Sequence, residues 1–238
     1  MKANRPNNKV VTTLAILFFG VLLLSSCLKN NDDFTPSVSY FSIVNGYPGD
    51  ASIDYYLDNQ KANVQPLLYK QASAYLEVFS GDRRLTVTSA GTTNVVADGA
   101  IRFSPSVYYS VFLARKSVTN ADSLSGFVVV DDLTLPTTNK AKIRFANLTP
   151  GATKIDVNIK GVQDTLFGNK AFSSISAFKE VDPSVSALEI RQAGQAAVKL
   201  EVPVTLQAGK IYTLSTNGLW DGTAGTDVFA TQLTTHER

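Results

Sequence analysis

Along most of the chain apolar and polar positions alternate in short runs. Ile101 and Phe103, then Val107, Tyr109, Val111 and Leu113, fall on every second residue around Ser104-Pro105-Ser106. Val202, Val204 and Leu206, then Tyr212 and Leu214, do the same around Gln207-Ala208-Gly209-Lys210. A period of two predicts half-buried antiparallel strands joined by hairpins. A further hairpin is predicted from Tyr75 to Phe79, turning at Ser80-Gly81-Asp82 and returning along Leu85 and Val87. The turn Asp182-Pro183-Ser184 takes the same place further on. Beyond Cys27 no stretch sustains the 3.6-residue apolar stripe of a helix.

The strand pattern occurs twice. Asn45-Gly46-Tyr47-Pro48-Gly49 with Ile53-Asp54 returns as Asn147-Leu148-Thr149-Pro150-Gly151 with Ile155-Asp156, at a spacing of 102. Glu77-Val78, Leu85, Ala90-Gly91, Val95 and Tyr109 return as Glu180-Val181, Leu188, Ala193-Gly194, Val198 and Tyr212, at a spacing of 103. A period near 100 residues is too long for a solenoid unit and suits two whole small domains. The predicted class is all-β: two tandem immunoglobulin-like antiparallel β-sandwich domains, lacking the disulfide of antibody domains. Their expected bounds are 38–135 and 140–238, with Leu135-Pro136-Thr137-Thr138-Asn139-Lys140 as a short linker that keeps them close.

The first residues break the pattern. Lys2, Arg5 and Lys9 precede an apolar run from Val10 to Leu24, which is shorter than the roughly 20 residues a membrane span needs. A charged start, a short apolar core and a small-residue exit describe a secretory signal over 1–26. Leu24-Ser25-Ser26-Cys27 resembles the bacterial lipobox, in which small side chains flank the cut and the thiol takes a diacylglycerol. Cys27, the only cysteine, is therefore the expected lipidation site. The membrane is the expected partner through that anchor, since about two lipid signals suffice for stable anchoring. Residues 27–37 read as a polar tether. Its Lys29-Asn30-Asn31-Asp32-Asp33 resembles the surface-export signal of Bacteroidota lipoproteins, which implies an outer-membrane protein exposed at the cell surface.

The order Asn-x-x-Pro-Gly-x-x-x-Ile-Asp, a strand leading to Ala-Gly, and a closing Tyr-rich strand resembles domain of unknown function 4397. The resemblance covers roughly 38–135 and 140–235. It departs at Pro105-Ser106, where the second copy has Ala208-Gly209-Lys210. The resemblance implies extracytoplasmic β-domains in lipoproteins and assigns no reaction.

Composition narrows the chemistry. The leader holds three of the 22 basic residues and none of the 20 acids, so the remaining chain carries 19 against 20, net −1. That balance offers no footprint for nucleic acid. One cysteine and one histidine preclude zinc sites of several Cys and His ligands and leave serines without a base. No catalytic residue, metal or cofactor is therefore expected. His236 reads as an exposed tail residue and Asp131-Asp132 as a polar strand end. Asp54 and Asp156 read as carboxylates that accept backbone hydrogen bonds at a strand start. Tyr47 and Trp220, in turn and loop sequences, are the candidates for stacking on a sugar or peptide. The alternative for each is a ring that covers the open end of its own sandwich.

The sequence thus points to a non-enzymatic surface module that binds carbohydrate or protein. A glycan hydrolase working through Glu77 and Glu180, or a purely structural envelope component, stands as the alternative.

Overall fold

The computed structural model describes residues 36–49, 52–120, 124–152 and 154–237, so the leader, Cys27 and nearly all of the tether lie outside the described residues. The strands of the first repeat are β1 (Val38–Gly46), β2 (Ser52–Leu57), β3 (Gln60–Lys61), β4 (Leu67–Leu68), β5 (Gln71–Ala72), β6 (Leu76–Phe79), β7 (Gly81–Ser89), β8 (Val95–Phe103), β9 (Tyr108–Arg115) and β10 (Leu124–Val130). Those of the second are β11 (Ala141–Asn147), β12 (Ile155–Ile159), β13 (Thr165–Lys170), β14 (Lys179–Val181), β15 (Ala187–Gln192), β16 (Val198–Pro203), β17 (Ile211–Asn217) and β18 (Ala230–His236). A single 3₁₀ turn, Gly225–Asp227, is the helical content of the described residues.

The fold is all-β, as the alternation predicts. Each repeat makes two sheets. In the first, β10-β9-β1 continues to β5 and β6, and faces β3-β2-β7-β8 with β4 beside β2. In the second, β18-β17-β11-β14 faces β13-β12-β15-β16. Most pairs are antiparallel, but β1 pairs with β9 and β11 with β17 in parallel. A parallel partner needs a long crossover and leaves no local signal, so alternation alone could not show it.

The connections differ from the expected hairpins at two places in each repeat. β6 and β7 lie in different sheets, and so do β8 and β9; β14 and β15, and β16 and β17, are divided in the same way. Ser80 and the segment 104–107 are therefore arches across the sandwich. Alternation reports which side of a strand is apolar, and it is blind to whether the next strand lies beside or across. One tyrosine pins the second arch. Tyr109 Oη accepts the Ser104 N–H at 3.0 Å, and Tyr212 Oη accepts the Gln207 N–H at 3.0 Å. This is the arrangement of the tyrosine corner of sandwich folds.

The other repeated residues have equally local work. Asn45 Oδ1 accepts the Tyr47 N–H while its amide donates to Leu67 O; Asn147 repeats both bonds with Thr149 and Lys170. Asp54 accepts the Gly91 N–H and Asp156 the Gly194 N–H. Both glycines sit at positive φ, +71° and +75°, where a side chain is strained, which explains the repeated Ala-Gly. Asp54 is buried, and burial works to raise its pKa. Hydrogen bonds from Gly91, Lys61 and Asn63 and the Lys61 charge outweigh that and hold it below the usual value.

Three apolar clusters order the layers. Phe41, Ile43, Val111 and Leu113 of β1 and β9 pack on Ile53, Tyr55, Val87 and Ile101 of the facing sheet. Ile143, Phe145 and Leu214 pack on Ile155, Val157 and Ile190 in the same way. The third cluster, Val44, Phe112 and Ala114 with Ala146 and Leu148, joins the two repeats. The β1-β9 and β11-β17 sheets are thus buried on both faces, and four sheets stack within the compact unit Ser37–Arg238. Gly46 marks the closest approach: a Cβ there would lie 2.3 Å from Asn217 Oδ1 and 2.8 Å from Leu148 Cδ1.

Candidate functional site

The outward faces of β1, β9, β11 and β17 carry polar residues that meet between the repeats. Arg144 on β11 is 1% exposed, and its Nη1 lies 2.7 Å from Asp131 Oδ1, itself fully buried. Arg144 Nε donates to Thr213 Oγ1 at 2.8 Å and Nη2 to Ser110 Oγ at 3.1 Å. Ser110 donates to Asp131 Oδ2 at 2.6 Å, and Tyr75 Oη to the same oxygen at 2.5 Å. His236 closes the ring, with Nδ1 2.8 Å from Tyr75 Oη and Nε2 2.7 Å from Thr213 Oγ1. Phe112 and Phe178 cover the guanidinium, with centroids 5.4 and 4.5 Å from Cζ.

The proton count of this ring is fixed by its donors. Tyr75 gives its only proton to Asp131, so it must receive one from His236 Nδ1. Thr213 receives from Arg144 and gives its own proton to Nε2. A neutral histidine protonated at Nδ1 satisfies every partner. Burial, and then the nearby Arg144 charge, pull His236 down to about 4 from its ordinary 6.5, against the opposing pull of Asp131. Burial and the Asp131 charge push Tyr75 far up. Both groups are fixed in one protonation state near neutrality.

One expectation is corrected here, and one is refined. His236 is not an exposed tail residue; it is 7% exposed, because β18 pairs with β17 through His236 opposite Ile211. Asp131, read as a polar strand end, does follow the end of β10, but it is buried as the counter-charge of Arg144. Neither was legible locally, since Tyr75 reaches His236, and Arg144 reaches Asp131, from the other repeat.

Beside this ring the repeats leave a groove of about 620 Å³ between Lys70–Tyr75 and Gln232–Glu237, floored by Ser42. The equivalent opposite edge is closed, where Phe127 of β10 meets Phe172 edge-on at 5.8 Å with Ile175 behind. The open groove is polar: Gln71, Ser73, Gln232 and Thr234 line it. Gln232 is 9% exposed; its Nε2 donates to Thr234 Oγ1 at 3.1 Å, while its Oε1 is buried and accepts from no described residue.

The aromatic candidates lie elsewhere. Tyr47 is 2% exposed within the first core, its ring folded over Gly49, so the expectation of an exposed handle is corrected. The Asn45 bond turns the chain inward at that residue. Trp220 is half-buried, edge-packed on Phe229 at 5.0 Å with Lys199 5.2 Å from its ring, and it borders the second core as a cover. Glu77 and Glu180 are exposed in different repeats. Glu180 binds the Thr137 N–H and hydroxyl, whose hydrogen bonds lower its pKa, the opposite of what a general acid needs.

The family profile described as Domain of unknown function (DUF4397) matches residues 39–158, just over half of the chain. The chain belongs to that family. The DUF4397 match spans the first repeat, crosses the linker and ends within β12, so it does not by itself count two copies. A solved structure described as "Alpha-glucan binding by a streptococcal virulence factor" is similar at 10% identity and a TM-score of 0.24, over 79% of this chain and 97% of that one. At that similarity it carries no argument here. No curated protein matches the chain.

Proposed function

We propose that this DUF4397 protein is a lipid-anchored cell-envelope module, held through Cys27 at the outer membrane and exposed at the cell surface. It binds a carbohydrate or protein ligand in the groove between its repeats, without turning it over. The observation that carries this reading is the open polar groove with a buried, underused Gln232 acceptor, set against a closed apolar edge at the equivalent place. The groups behind the groove support binding over acid–base chemistry, because His236 and Tyr75 titrate far from neutrality in opposite directions. Lipidation follows from Leu24-Ser25-Ser26-Cys27, and the two-repeat division of 38–135 and 140–238 from the duplicated motifs.

The test is a binding and turnover screen of detergent-extracted full-length protein against glycans and envelope proteins. Binding that disappears in Thr234→Tyr, which fills the groove, with no product formed, supports the module. Turnover, or binding indifferent to Thr234→Tyr in a folded protein, overturns it. Mass spectrometry of the same extract reads the anchor. Cys27 found as a free thiol, or residues 1–26 still attached, ends the lipoprotein reading.

A further inference from the structure

The groove is built from strand edges, and that determines what fits it. Its walls are two unbroken runs, Lys70 to Tyr75 and Gln232 to Glu237. Side chains on a strand alternate between faces, so six consecutive residues can border one groove only along the strand's edge. The second run follows β18 to its end, and β18 pairs with β17 alone; the first passes through the two-residue β5, which pairs with β1 alone.

The backbone groups facing the groove follow from the register. Lys142 N donates to Lys210 O and Leu148 N to Thr216 O, so the even-numbered residues of β17 bond to β11. The odd-numbered residues of β17 therefore face β18, where Ile211, Thr213 and Ser215 pair with His236, Thr234 and Gln232. Thr231, Leu233 and Thr235 are left with N–H and C=O directed away from β17, into the groove. Next to this edge lies the buried Gln232 Oε1, which accepts from no described residue.

Resting on the proposed binding role of this groove, the geometry points to an extended peptide segment of a partner protein as its occupant. The segment adds as a strand to the free edge of β18. Main-chain bonds to Leu233 and Thr235 give affinity, and small polar side chains that donate hydrogen bonds suit the Gln232, Thr234 and Ser73 lining. Lys70 stands at the Gln232 end and Glu237, paired with Lys210, at the other, so an acidic residue at one end of the segment and a basic one at the other complement the site. A run of six residues at roughly 3.3 Å each sets a segment of about that length. A sugar chain is the poorer fit. The rings among the described lining residues are Tyr75 and His236; the Tyr75 ring edge-packs on Tyr108 at 5.1 Å, and its hydroxyl is committed to Asp131 and His236.

The experiment uses the full chain in detergent with a fluorescent library of hexapeptides, Glu-(Ser/Thr/Val)₄-Lys in both directions, and maltohexaose as the sugar probe. Peptide binding should weaken at least tenfold in Thr235→Pro, which removes an outward N–H without touching the β17 pairing, and should persist in Thr235→Ala. N-methylation of alternate peptide bonds should abolish binding in one register and spare it in the other. Unchanged peptide binding by folded Thr235→Pro, or indifference to N-methylation, overturns strand addition. So does binding of maltohexaose with no peptide bound; if Thr234→Tyr abolishes that sugar binding, the groove reading survives. Loss of neither ligand in Thr234→Tyr removes the groove itself.

Discussion

Asp131 and His236 occupy the same position in the two repeats, and a single hydroxyl, that of Tyr75, joins them. Each stands one residue beyond the partner of the repeated tyrosine: Val130 pairs with Tyr109 and Thr235 with Tyr212. The surrounding positions correspond as well. Ser110 matches Thr213, Tyr75 matches Phe178 and Ser42 matches Arg144, as the strand registers require. Equivalent surfaces have been made complementary by divergence at four positions.

Breaking the central pair should be costly. Arg144→Met leaves Asp131 buried without its counter-charge, and an unfolding free energy lower by about 3–5 kcal/mol is expected. The double variant Arg144→Met/Asp131→Leu should recover most of that loss, because no charge is then stranded. Urea unfolding of the single and double variants measures the difference.

Acid should loosen the junction through His236. The unfolded chain takes up a proton near 6.5 and the folded chain near 4, so between those values the unfolded state binds more protons. The neutral-histidine contribution is complete above about pH 6.5 and is lost as pH falls towards 4, at most about 3 kcal/mol. Unfolding of the parent and of His236→Gln at pH 7.5 and 4.5 should show a smaller pH dependence in the variant.

Gly46→Ala should destabilise by about 1–3 kcal/mol, the usual range for overpacking. Its methyl would meet Asn217 Oδ1, Leu148 Cδ1 and, at 2.9 Å, the Leu113 carbonyl. Shortening Leu148 relieves only one of these, so Gly46→Ala/Leu148→Ala should not restore thermal stability to that of Leu148→Ala alone.

Tyr109→Phe and Tyr212→Phe each remove the acceptor of an arch N–H. Each should cost about 1–3 kcal/mol if the amide finds no water. Near-equal losses in the two repeats, read as melting temperature, are the expected result.

Much of the fold was legible because its signals are local or repeated. The alternation and the Asn-x-x-Pro-Gly turns act within a few residues, and the Asp and Ala-Gly pairs, 37 and 38 residues apart, are legible because both members recur in each copy. The parallel β1-β9 and β11-β17 pairs were not legible, since the strands they join lie far apart in sequence. The site was hidden for a related reason. Tyr47 and Trp220 were read from loop chemistry, yet the groove arises where two strand edges from different repeats come to rest. His236 looks like a loose end until Arg144, Asp131 and Tyr75 are placed around it. The mismatch of Ser42 with Arg144 at the 102-residue spacing was the one available sequence signal, a buried-face position charged in one copy alone.

The divided charges of the junction also decide which repeats may associate. Were two first repeats to meet through this face, each Asp131 would find Ser42 where Arg144 should be. Were two second repeats to meet, each Arg144 would find His236 in place of a carboxylate. Both pairings bury like charges without relief, whereas a first repeat against a second buries none unpaired. Among crowded copies of the chain, the same face that unites one chain therefore rejects its own likeness.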